Sequence, residues 1–147
     1  MCYNVLTKKG EDVGAMLDNN YDQIPHCGEI WTCHLGDNDP GVQSGYRPVL
    51  ILSNDRNNLF SAAVNVAPLT TRMNKRRLPV HIELWDYEAY GLKAPSTILI
   101  EQTTTVNINR LDFRIGKISD ENVLRNVWKA IETQFAIRDN TAFSMAS

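Results

Sequence analysis

Four polar features stand where strands begin or end. They are Arg47, Thr70, a basic run holding Arg72, Lys75, Arg76 and Arg77, and the pair Glu101-Gln102. Arg47 opens the segment Arg-Pro-Val-Leu-Ile-Leu, and the ring of Pro48 excludes a helical conformation at the residue before it. A permanent cation is therefore fixed where a loop enters a short apolar strand. A guanidinium is planar, always charged and bidentate toward phosphate, so the chemistry to expect is recognition of an anionic substrate. Antiparallel neighbours set the start of one strand beside the end of the next, which brings Arg47, Thr70 and Gln102 within reach of one phosphate. The residues alone leave another reading open. Arg47 can pair with Glu101 as a structural ion pair, and the Thr70 hydroxyl can bond its own backbone. His26-Cys27 and Cys33-His34 invite a zinc site, but there is no Cys-x-x-Cys and the second pair falls within a strand pattern, so no metal is expected.

The elements that must position these residues follow from periodicity. From Gly28 the pattern has period two, with Trp31, Cys33 and Leu35 on one face and Ile30, Thr32 and His34 on the other. Gly36 to Tyr46 is dense in turn formers and reads as a long loop before the strand Arg47 to Ser53. Asn54 to Ser61 is expected as a polar connection. A third strand runs from Ala62 to Leu69, a fourth from Val80 to Leu84, a fifth from Ser96 through Glu101 to the Thr103–Thr105 run, and a sixth from Phe113 to Ile118. Val123, Leu124, Val127, Trp128, Ile131 and Phe135 recur at helical spacing behind a Ser119 cap and acidic residues. The fold expected is mainly β with a C-terminal α-helix, as a small antiparallel barrel or curled sheet. Residues 1–27 read as an N-terminal extension, 28–137 as the domain and 138–147 as a tail. Trp128 is expected in the core or at a dimer interface.

Bulk properties narrow the class. The chain has 147 residues, 43% of them hydrophobic and 22% charged, with a net charge of -2. That fits one folded domain and excludes an indiscriminate polycationic nucleic-acid binder, so any nucleic-acid contact needs a local basic patch. Cys2, Cys27 and Cys33 make an odd count without framework spacing, which reads as reduced thiols in a cytoplasmic protein. No apolar run approaches the roughly 20 residues of a membrane span. Lys8 and Lys9 are not followed by an apolar core, so no secretory leader is expected.

Five segments in order carry a resemblance. Gln43-Ser44-Gly45-Tyr46-Arg47-Pro48-Val49-Leu50 is followed by Ser53-Asn54-Asp55, Val66-Ala67-Pro68-Leu69-Thr70, Leu78-Pro79-Val80-His81 and Ile100-Glu101-Gln102-Thr103-Thr104-Thr105. Over Gly28 to Phe135 this set resembles the MazF/PemK family of toxins. The resemblance implies an SH3-like barrel and a homodimer acting as a sequence-specific endoribonuclease. It implies cleavage of single-stranded RNA without metal or other cofactor, by attack of the ribose 2'-OH, leaving a 2',3'-cyclic phosphate and a 5'-hydroxyl. It also implies a cognate antitoxin that lays an acidic tail across the RNA groove. One branch of the family assigns catalysis to the arginine and threonine matching Arg47 and Thr70. Another uses an arginine and an aspartate on the later strand. Here Leu99 stands in place of that arginine, and Glu101 matches the aspartate with one more methylene. Arg47 and Thr70 are therefore the expected stabilisers of the charged transition state, with Glu101 as a candidate proton acceptor, because an arginine is a poor base at neutral pH. The basic loop of Arg72, Lys75, Arg76 and Arg77 would track phosphates, while Gln43, Asn54 and Gln102 would read base edges. His26, His34 and His81 read as structural. Two other readings are a non-catalytic toxin resembling CcdB that binds a protein target, and a barrel that binds RNA without cutting it. The Trp-Gly-Ile ending on which CcdB-like chains rely is not seen here.

Overall fold

The computed structural model describes residues 23–37, 39–73 and 78–137. Seven strands form one curled antiparallel sheet: β1 (Glu29–His34), β2 (Tyr46–Ile51), β3 (Ala63–Thr70), β4 (His81–Leu84), β5 (Ser96–Leu99), β6 (Thr104–Asn107) and β7 (Leu111–Lys117). Their order is β4-β5-β3-β2-β1-β7, with β6 paired to β3 beside β5. Among the described residues β4 and β7 end this path, so the sheet curls without a closed ring of strand pairs. Helix α1 (Asp55–Phe60) connects β2 to β3, and helix α2 (Glu121–Gln134) follows β7.

The sheet is apolar on both faces, because neighbouring residues of one strand go to different cores. Ile30, Leu50, Ala67, Leu69, Ile82 and Ile98 pack with Val127 and Ala130 of α2. Trp31, Cys33, Val49, Ile51, Val64, Val66 and Val106 form the second core on the opposite face. Each fully buried aliphatic side chain contributes about 1.5–3 kcal/mol, so two small cores suffice where one would be marginal. The β1 pattern therefore has two buried faces rather than a single apolar one.

Four expectations about local structure are corrected. The stretch after Asn54 is a short helix, because the Asn54 side chain accepts a 2.8 Å hydrogen bond from the Asn57 N–H as an N-cap. Helix α2 is capped by Asp120, not Ser119, through a 2.8 Å bond from the Asn122 N–H. Cys27 is disulfide-bonded, so only Cys33 is a free thiol among the described residues. Finally, the strand expected from Ser96 to Thr105 is two strands. Leu69 stands opposite Ile98 and Val66 opposite Thr104, so three steps along β3 answer six along this segment. The surplus of three is a turn of 3-10 helix, Ile100–Gln102. It lies alongside Ala67 and Pro68, and proline has no N–H to offer a ladder.

One close approach depends on glycine. The turn ending at Gly91 lies against β7, where a Cβ on Gly116 would sit 2.2 Å from the Tyr90 carbonyl oxygen. Residues 23–27 are fastened to the domain: Asp55 accepts from the Cys27 N–H at 2.9 Å, and the buried Asn58 amide donates to the Pro25 carbonyl. The rest of the proposed extension and the tail from 138 lie outside the described residues. No helix among the described residues is long and apolar enough to cross a membrane.

Candidate active site

The strand register gathers the polar residues onto one face. Val49 stands opposite Pro68. The ladder ends at that pair, and Arg47 and Thr70 lie two residues beyond it on their respective strands. Thr70 in turn faces Thr97, and Thr97 faces Glu83. Directly opposed residues share a face, and so do residues two apart on a strand, which adds His81. Thr70, Thr97, Glu83 and His81 thus form a polar strip across β3, β5 and β4, with Arg47 just past the end of the neighbouring β2–β3 ladder.

Arg47 is half-buried, at the rim of the second core, with Cys33 opposite it on β1. Its Nε donates to the Ser44 carbonyl at 3.0 Å, which ties the side chain to the loop before β2. Its terminal nitrogens carry no ion pair among the described residues, so the bidentate edge of the guanidinium remains available. Thr70 is 7% exposed, and its Oγ1 accepts from the Arg72 N–H at 3.2 Å. That contact orients the hydroxyl oxygen and leaves its proton free to be donated. The alternative reading of Thr70 as a strand-end hydroxyl bound to nearby backbone is therefore realised, and it is compatible with donation to a ligand.

The Arg47–Glu101 ion pair does not form. Glu101 Oε1 instead lies 2.7 Å from His81 Nε2. A carboxylate has no proton to give, so the ring nitrogen donates. Glu101 Oε2 is shielded from water and has no hydrogen-bond partner. Leaving a buried oxygen unpaired costs about 1–3 kcal/mol, and such a cost is characteristic of sites that bind or react.

Gln102, next in the same turn, is occupied with the loop before β2. Its Oε1 accepts from the Gln43 N–H at 2.8 Å, and its Nε2 lies 3.5 Å from the Gly41 carbonyl. The turn that carries Glu101 and the loop that holds Arg47 are thereby joined. Gln43 and Gln102, both expected to read base edges, contact each other here. Asn54 spends its side-chain oxygen on capping α1, away from the strip. Arg72 is exposed just past Thr70, and Lys75, Arg76 and Arg77 lie outside the described residues. His81 and Thr97 are the residues that sequence reasoning missed. Alternation places His81 on a polar, outward face of β4, yet its side chain is only 7% exposed because the 3-10 turn covers it. A cleft of about 490 Å³ opens beside both, with Val123 and Lys129 of α2 on its far wall.

Burial pushes the Cys33 thiol up to about 11, with nearby Arg110 opposing the shift. This thiol is an inert core group, unlike a reactive thiolate.

Comparison with known proteins shows the family. A family model described as "PemK-like, MazF-like toxin of type II toxin-antitoxin system" matches residues 26–135. The chain is 35% identical over 112 residues to Endoribonuclease EndoA of Bacillus subtilis, covering 76% of this chain and 95% of that protein. It is 34% identical over 110 residues to Endoribonuclease MazF of Staphylococcus saprophyticus, covering 75% and 90%. Among solved structures, Mycobacterium tuberculosis toxin MazF-mt6 superposes with a TM-score of 0.62 at 26% identity, covering 74% of this chain and 96% of that one.

Proposed function

The chain belongs to the PemK-like, MazF-like toxin family of type II toxin-antitoxin systems, and we propose that it is a sequence-specific endoribonuclease cutting single-stranded RNA without a metal. The observation that carries the reading is Arg47, held by its Nε to the Ser44 carbonyl and two residues beyond Val49, whose partner Pro68 lies two residues before Thr70. In the proposed reaction the ribose 2'-oxygen attacks the adjacent phosphorus as it gives up its proton. The bond to the 5'-oxygen breaks, and that oxygen takes a proton from solvent. The products are a 2',3'-cyclic phosphate and a 5'-hydroxyl. Negative charge gathers on the phosphoryl oxygens in between. A fixed guanidinium and a fixed hydroxyl stabilise that charge without reorganising, each worth about 3 kcal/mol in such settings.

The exposed Arg72 and the basic residues after it would engage neighbouring phosphates. An acidic antitoxin segment would compete for the same cations, which is how a cognate partner would neutralise the enzyme. A homodimer working in the cytoplasm and an N-terminal extension before the domain belong to the same proposal. The test is cleavage of a mixed-sequence RNA by the wild type and by Arg47→Ala. The variant should cut at least roughly 100-fold more slowly with an unchanged circular dichroism spectrum. RNA left intact by the wild type would sink the enzyme reading.

A further inference from the structure

Helix α2 carries one large apolar residue that neither core takes up. Val127 and Ala130 are buried in the first core, and Val123, Leu124 and Ile131 pack against it. Trp128 belongs to neither core. It lines a groove of about 640 Å³ between α2, the residues just before β1 and the end of β7. Leu124 adds apolar surface there, and Lys117, Arg125 and Lys129 outnumber the two carboxylates, Glu121 and Glu132. We propose that residues 11–22 of this chain dock in that groove, and that a disulfide between Cys2 and Cys27 clamps them there.

Three observations carry it. First, Cys27 lies on the wall of the groove and is disulfide-bonded. Cys33 is a free thiol, and the one other cysteine of the sequence is Cys2. Within one chain the bond of Cys27 therefore runs to Cys2, and bridged residues have Cα atoms about 6 Å apart. Second, the other end of the segment is fixed as well. The Asn58 amide donates to the Pro25 carbonyl at 2.9 Å, and the Asp55 carboxylate accepts from the Cys27 N–H at 2.9 Å. Gln23 is four residues from Cys27, at most about 14 Å away. A segment held this closely at both ends must fold back over the surface beside Cys27, where the groove offers it apolar cover. Third, the chemistry matches. Residues 11–22 contain Glu11, Asp12, Asp18 and Asp22 and no basic residue, while Met16, Leu17 and Tyr21 supply apolar side chains. An acidic, apolar segment suits a groove rich in cations around an indole. Trp128 Nε1 is also shielded from water without a hydrogen-bond partner, a donor that a carbonyl or carboxylate of the segment would satisfy.

The clamp closes and opens by thiol–disulfide exchange with a low-molecular-weight disulfide. On closing, the two protein thiols give up two electrons and two protons, and the small disulfide leaves as two thiols. Excess thiol reverses the exchange and frees the Cys2 end. Disulfides in proteins of a reducing compartment are characteristically transient and redox-sensing, so the groove is covered or uncovered with the thiol–disulfide balance. The inference stands apart from RNA cleavage and does not depend on it.

The test uses the full chain, equilibrated with oxidised glutathione or with dithiothreitol. Carboxylates are then coupled to lysines with a zero-length carbodiimide, and the peptides are mapped by mass spectrometry without further reduction. The oxidised sample should contain a Cys2–Cys27 peptide pair, with couplings from the acids of residues 11–22 to Lys117 or Lys129. Dithiothreitol, or Cys2→Ser, should lower those couplings roughly tenfold, because freeing one end restores the loop-closure entropy. Met16→Ser/Leu17→Ser should lower them while the disulfide pair persists. A mixture of isotopically heavy and light chains should give couplings within one chain only.

A map of the oxidised sample without the Cys2–Cys27 pair would overturn the proposal. So would a disulfide pair present without couplings to the groove lysines, or couplings unchanged by both dithiothreitol and Cys2→Ser. Heavy-to-light couplings would overturn it too, since they would put a second copy of the chain in the groove.

Discussion

Replacing Gln102 with leucine separates two roles that the sequence alone cannot distinguish. Its amide oxygen accepts a 2.8 Å bond from the Gln43 N–H, while the 3.5 Å contact to Gly41 is too long to count for much. One neutral hydrogen bond contributes about 1 kcal/mol net. Its loss should shift the loop from docked to undocked by a factor of about five. Arg47 is held by the Ser44 carbonyl of that loop, so the undocked state lacks its oriented guanidinium. Amide hydrogen exchange over residues 41–46 should then rise about fivefold, and kcat/KM should fall by no more than that factor. Cleavage-site preference should stay the same. A fall of 100-fold with unchanged exchange would refute the latch and make Gln102 a residue that touches RNA. A changed cleavage sequence with unchanged exchange would make it a base reader.

Thr70→Val should lower kcat by roughly 100-fold with KM altered little, because the hydroxyl is needed mainly when charge develops; a rise in KM alone would make Thr70 a binding residue. Gly116→Ala must push a methyl group into the Tyr90 carbonyl and should cost about 2–3 kcal/mol of stability, seen as a lower urea midpoint. Cys33 bears on alkaline stability. Its thiol is raised from 9.0 to about 11 by burial, so the unfolded chain loses that proton first and stability falls as pH rises from 9 toward 11. Cys33→Ala should flatten this decline relative to wild type, and parallel curves for the two proteins would contradict the assignment.

Much of the fold was legible because burial leaves a period in the residues. Ile82 and Leu84 alternate with polar residues in β4, and the apolar run after Pro48 becomes a strand covered on both faces. Arg47 and Thr70 were legible as strand-end residues because a proline and a threonine pair mark those ends. What was not legible depends on register between distant segments. Ile98, Leu99 and Ile100 are all buried, so nothing in their pattern marks where β5 stops and the 3-10 turn begins. Only the count against β3 reveals the three extra residues. The His81–Glu101 contact follows from that bulge and could not be read from spacing. Helix α1 could have been found, since Asn54 followed by Asp55 is a capping signal, but six residues give too short a period to stand out.

The central claim is that Arg47 and Thr70 promote attack by the 2'-hydroxyl rather than by water. The most direct measurement is the chemistry of the ends left on an RNA cut by the wild-type protein in EDTA. Mass spectrometry should find a 2',3'-cyclic phosphate on the upstream fragment and a 5'-hydroxyl on the downstream one, and a single 2'-deoxy substitution at the mapped site should block the cut. A 3'-hydroxyl paired with a 5'-phosphate, or cleavage that persists at the deoxy position, would contradict it.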